Sequence, residues 1–262
     1  MITQTILIIS VSLQIVVLAV LLGLSVKLIG ESSKDITAVF LALIYSLWLL
    51  DDLYWLIYDL MRPDTRMPFA ANEIAEVAYF LGVAATVNSA VRYDKRLPVG
   101  HLAGTLLFLT ANVVLWMIWS GEIVQNTVVG LVLAWLFVSI VRSLISENSL
   151  AGSEWILLGI LCAAVIICQG LTFTVPENLK HIPDLCASIL LIAGIVFFTC
   201  MFIRSYRGGL ARSQMFLAFA ILIWTTISKY MSGGNWYNLF LTLETPGLWL
   251  VCMSVKKVVR SG

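Results

Sequence analysis

Nine apolar stretches of 18 to 26 residues, divided by short polar intervals, decide what this chain of 262 residues can become. They run 5–27, 36–61, 72–91, 99–120, 123–141, 155–175, 185–203, 213–230 and 237–255. A helix rises 1.5 Å per residue, so about 20 apolar residues match the hydrocarbon thickness of a bilayer. Backbone polar groups in lipid must be satisfied within their own segment, which selects helices over open sheet. Composition agrees: 60% of residues are hydrophobic and 12% charged, where a soluble domain carries about 25% charged residues. The expected fold is all-α: a single polytopic integral-membrane domain over residues 1–262 with about nine transmembrane helices. The weakest divisions are the turns at Gly121-Glu122 and Ser232-Gly233-Gly234-Asn235; without either one the count falls to eight. The first stretch has neither a basic leader region nor a small-residue cleavage site, so it reads as a span rather than a signal peptide.

The basic residues set an expected orientation. With nine spans, 12 of the 16 Lys and Arg fall on one side; Arg62, Arg66, Lys180 and Lys229 fall on the other. By the positive-inside rule the chain starts outside and ends in the cytoplasm. The acids lean the other way, ten toward the outer half and five inside, which leaves the outer half negative and able to concentrate cations. A formal charge of +1 argues against a nucleic-acid partner. Cys162, Cys168, Cys186, Cys200 and Cys252 lie in or beside apolar segments without a CxxC pair, so they read as free thiols. His101 and His181 have no metal-ligand spacing, and neither a metal nor another cofactor is expected.

Polar chemistry concentrates in "WLLDDLYWLIYDL", residues 48–60. Leu49, Leu53, Leu56 and Leu60 follow helical spacing as a lipid-facing or packing stripe. The opposite side carries Trp48, Asp51, Asp52, Trp55, Tyr58 and Asp59. At 1.5 Å per residue the paired aspartates lie about 15 Å below the outer end, near the midplane. Such acids either pair with neighbouring helices and lock packing or face a polar cavity; function is the default reading inside a membrane. Asn72, Glu73, Glu76, Tyr79 and Phe80 share a face at the outer end of the third span and extend the same surface, with Arg62 and Arg66 as local partners. Lys229 lies close enough to the end of span eight to snorkel into the headgroups, which is favoured over pairing with a buried acid. Glu244 precedes Pro246-Gly247, where a kink or break is expected, and acid plus break is a pattern of transporter sites. Trp116, Trp119 and Trp236 read as interfacial belt residues. Trp48 and Trp55 remain candidates for a cation–π wall.

The stretch "DDLYWLIYDL…MPFAANEIAEVAYFLG" resembles multi-pass N-terminal membrane sensor regions of bacterial diguanylate cyclases and histidine kinases over about 40 of the 262 residues. The likeness rests on Asp52, Trp55, Pro68, Phe69 and Glu73. It implies a sensor in a bacterial cytoplasmic membrane. Only "KKVVRSG" follows the last span, so a sensor of this kind is expected either to signal through a membrane or cytoplasmic partner or to be a fragment of something longer.

Three function classes compete. The first is a non-catalytic, receptor-like sensor with an outward acidic-aromatic pocket for a small cationic ligand. Its candidate binding residues are Trp48, Asp51, Asp52, Trp55, Tyr58, Asp59, Glu73, Glu76 and Glu244. The alternative is a secondary transporter or channel for cations, protons or a small cationic solute, though no convincing inverted repeat supports it. A membrane enzyme is disfavoured, because no nucleophile-base set, metal cluster or phosphate-binding signature accompanies the acids. A retinal protein is disfavoured too, since Lys229 ends the penultimate span.

Overall fold

The computed structural model describes residues 2–31, 36–61, 71–91, 96–121 and 123–261; of the side chains, those of 2–4, Asp59, 71–73 and Ser261 fall outside that description. The described residues form nine long α-helices: α1 Ile2–Glu31, α2 Ile36–Met61, α3 Ala71–Ala90, α4 Val99–Ser120, α5 Ile123–Ser146, α6 Gly152–Leu171, α7 His181–Arg207, α8 Ala211–Tyr230 and α9 Gly234–Ser261. A short 3-10 turn, Glu177–Leu179, precedes α7. Eight of the nine are long and apolar enough to cross a bilayer over their described residues. Both weak divisions hold. Gly121 takes a left-handed conformation (φ 74°) and its N–H bonds Met117 O, the usual way a helix stops at glycine. Gly234, at φ 56°, opens α9.

Neighbouring helices trace a path from α1 through α2, α3, α5, α4, α6 and α7 to α8 and α9, with α9 returning to α1. Inside that path sits α8, which also touches α3 and α5. Every residue from Ser213 to Lys229 is buried. The sequence explains the choice, because α8 carries Ser213, Gln214, Thr225, Thr226, Ser228 and Lys229, groups that lipid accepts poorly. Three of its hydroxyls bond carbonyls one turn back: Thr225 to Ile221 O (2.8 Å), Thr226 to Leu222 O (2.9 Å) and Ser228 to Trp224 O (2.7 Å). Helix α6, almost wholly apolar, is instead exposed along most of its length.

Two sequence expectations change here. The helix does not break at Pro246: α9 runs through it. Gly247 packs on Leu222 of α8, and the Tyr45 hydroxyl donates to Leu248 O at 2.8 Å. The apolar outer row of α2 runs through Leu43, Leu50 and Ile57, all exposed, and ends at Leu60 and Met61. Leu49, Leu53 and Leu56 are half-buried, so they serve packing more than lipid.

The end of the bundle opposite the N-terminus is tied by charges at its surface. Arg204 of α7 pairs with Glu154 of α6 and bonds Ser149 O at 2.9 Å, and Arg260 of α9 pairs with Glu31 of α1. The Arg260–Glu31 pair is exposed. Arg260→Ala is therefore expected to leave the thermal midpoint almost unchanged, because solvent screens an exposed pair. A larger drop would show that the pair is shielded from solvent.

Candidate functional site

Beside the N-terminus, seven helices converge on a cavity of about 440 Å³. It is lined by Leu7 and Val11 of α1; Asp51, Asp52 and Trp55 of α2; Glu76 and Phe80 of α3; and Trp116, Trp119 and Ser120 of α4. Gln125, Asn126, Val129 and Leu133 of α5, Lys229 and Tyr230 of α8, and Tyr237 and Leu241 of α9 complete it. Each helix meets it by the end that alternation through the bundle predicts.

Asp51 and Asp52 are each only 5% exposed. Adjacent residues on a helix point about 100° apart, yet both carboxyls reach the cavity because it is wide. Asp51 Oδ1 and Asp52 Oδ2 are buried with no hydrogen-bond partner. Glu76, Asp52, Lys229 and Glu244 all act electrostatically on Asp51. Three other carboxyl groups thus act on Asp51, alongside Lys229, the one cation that lines this cavity among the described residues. Unit charges 4 Å apart interact by about 4 kcal/mol at an effective dielectric near 20.

Lys229 does not reach for the headgroups. It is 5% exposed, and Nζ donates to Glu244 Oε2 at 3.0 Å. Cα–Cβ bonds tilt toward the helix N-terminus. On α8, which ends at the cavity, that tilt aims Lys229 into the bundle. On antiparallel α9, which begins there, it aims Glu244 back toward Lys229. The two side chains lean together, and snorkelling would have required Lys229 to turn against its own backbone. Gln14 of α1 donates its amide to the same Oε2 at 3.1 Å, while Glu244, 0% exposed, keeps a buried Oε1 without a partner. Lys229 Nζ also lies 5.0 Å from the Tyr230 ring centroid, a cation–π distance.

The structure brings Asp51, Asp52, Trp55 and Glu76 to one cavity and joins Glu244 to it through Lys229. Trp48 lies apart, fully buried and stacked on Tyr79 (4.2 Å between centroids, 13° between planes). Tyr79 in turn shares a hydroxyl contact with Tyr230 at 3.1 Å, so Trp48 supports the wall from behind. Tyr58 stacks on Tyr54 away from the cavity. The side chains of Asp59 and Glu73, together with Arg62, Arg66, Pro68 and Phe69, lie outside the described residues. Gln14, Trp116, Tyr230, Tyr237, Gln125 and Asn126 escaped the sequence reading. Gln14 carried a signal, a lone amide in the middle of an apolar helix. Trp116 did not, because its place near a span end suits the interface equally well; in the structure it is half-buried against the core.

Among the described residues, no three His, Cys, Asp or Glu side chains cluster as a metal site, and the five cysteines are unpaired. No known protein family, curated protein or solved structure matches the chain.

Proposed function

We propose that this chain is a non-catalytic, receptor-like membrane protein that binds a small cationic solute in the acidic-aromatic cavity and signals through a partner. One observation carries the reading: two buried aspartates with unpartnered oxygens line a cavity in which carboxyls outnumber ammonium groups. Trp55, Tyr230 and Tyr237 supply aromatic surface for the organic part of such a ligand. The volume falls within the range of small-molecule sites. The distribution of lysine and arginine supports an outward opening, toward the side where external solutes arrive.

Calorimetric titration of the purified chain with n-butylamine tests this. Binding is expected, and Asp52→Asn is expected to weaken it at least about tenfold, the worth of a hydrogen bond to a charged group. Unchanged affinity in Asp52→Asn would remove the aspartate from the site, and absence of binding would end the proposal. The buried Lys229–Glu244–Gln14 set beneath the cavity favours a second reading, a cation or proton carrier, because it continues the polar surface inward. Proteoliposome flux that Asp52→Asn abolishes would select the carrier.

A further inference from the structure

The acidic cavity has a neighbour. A second cavity of about 360 Å³ lies at the same end of the bundle, between α4, α6, α7 and α8. The two share Trp116, Trp119 and Tyr230 as a common wall. Their chemistry differs. In the second cavity a single carboxyl, Asp184, stands with His181 and with Lys180, whose Nζ already pairs with Glu177 at 2.9 Å. Its most buried polar group is Asn112, 2% exposed. The Asn112 amide nitrogen donates to Phe108 O at 2.8 Å, which fixes the orientation of the amide and leaves Oδ1 as the group without a partner. The Ser232 hydroxyl, also on this cavity, is likewise buried without a partner. Gln169, by contrast, is already committed, its amide donating to Met231 O at 3.0 Å. A buried acceptor with no donor is unfavourable, and such atoms in a folded protein call for an explanation.

We propose that the second cavity is a subsite for an uncharged hydrogen-bond donor, a hydroxyl or amide, at the far end of an elongated amine. The ammonium sits among Asp51, Asp52 and Glu76, the apolar middle crosses the shared wall at Trp116, and the distal donor meets Asn112 Oδ1. This rests on the cation-binding reading of the first cavity and extends it to the shape and chemistry of the ligand. A site that holds an unpaired polar group discriminates strongly for the ligand that pairs it.

The test uses the full chain in detergent and three probes: n-butylamine, n-hexylamine and 6-amino-1-hexanol. In calorimetric titration 6-amino-1-hexanol is expected to bind about tenfold more tightly than n-hexylamine. Asn112→Ala should erase that difference while leaving n-butylamine affinity unchanged, and Ser232→Ala should reduce it. If n-butylamine binds but the two longer amines bind alike, the subsite is overturned and the acidic site stands. The subsite is equally overturned if Asn112→Ala keeps the tenfold preference. If n-butylamine does not bind at all, both readings fall. Should Asn112→Ala not fold, the comparison of the two longer amines on the unaltered chain still decides.

Discussion

Lys229→Met is expected to destabilise the protein by about 3–5 kcal/mol, the usual consequence of removing one partner from a buried ion pair. The cause is not the lost attraction alone. Glu244 is 0% exposed, and without Lys229 its carboxylate keeps only the Gln14 amide as a donor. Desolvation of that carboxylate is then uncompensated. The double variant Lys229→Met, Glu244→Leu should recover most of the loss, because apolar replacement of a whole buried pair is often close to neutral. Thermal midpoints of the three proteins in one detergent read the comparison. A loss under about 1 kcal/mol in Lys229→Met would mean that the pair behaves as a surface pair, with Lys229 turned out to the headgroups after all. The double variant also bears on function. If it folds yet loses n-butylamine binding, the pair shapes the acidic cavity; if binding persists, the pair is a brace beneath it.

The segments were legible because span length is dictated by bilayer thickness, and each of the nine segments appears as a helix, eight of them long and apolar enough to span over the described residues. The gathering of Asp51, Asp52 and Glu76 was legible too, since polar groups in an apolar helix must share a face that avoids lipid. Partner choice was harder. The reading of Lys229 weighed its distance from a helix end and left out the direction of its Cβ, which decides where a terminal-turn lysine can reach. The local chemistry of Pro246 signals a kink or break, yet α9 runs through it, with Gly247 packed on Leu222 of α8, more than 20 residues earlier in the chain. The central place of α8 was available in principle. Its hydroxyls and amide made it, with α9, among the least lipid-like of the long helices, but which helices would surround it depended on interlocking shapes that periodicity does not encode. The second cavity had no sequence signal, because Asn112 looks like any isolated amide until its oxygen is seen to lack a donor.

Gly194→Leu is expected to be the most damaging substitution at a residue far from either cavity, costing about 3 kcal/mol or more. Gly194 of α7 lies against Trp224 of α8, and a Cβ built there would fall inside the van der Waals envelope of the indole. The ring is not free to retreat. Its Nε1 donates to Leu191 O at 2.8 Å, and it packs with Phe108 (6.2 Å between centroids, 8° between planes) and Phe198 (5.8 Å, 60°). Forcing extra carbon into such a contact costs about 1–3 kcal/mol in strain. Displacing the indole would further strand a buried N–H, at about 1–3 kcal/mol. Gly194→Ala should lie between this variant and the unaltered protein. Gly159 of α6 provides the contrast, because a Cβ there meets nothing within 4 Å. Gly159→Ala should be neutral or stabilise by up to about 1 kcal/mol through helix propensity. Pairing Gly194→Ala with Trp224→Phe isolates the mechanism. The smaller ring makes room and carries no N–H to strand, so the double variant should be more stable than the sum of the two single losses implies. Strict additivity would show that α7 and α8 do not meet through these two residues.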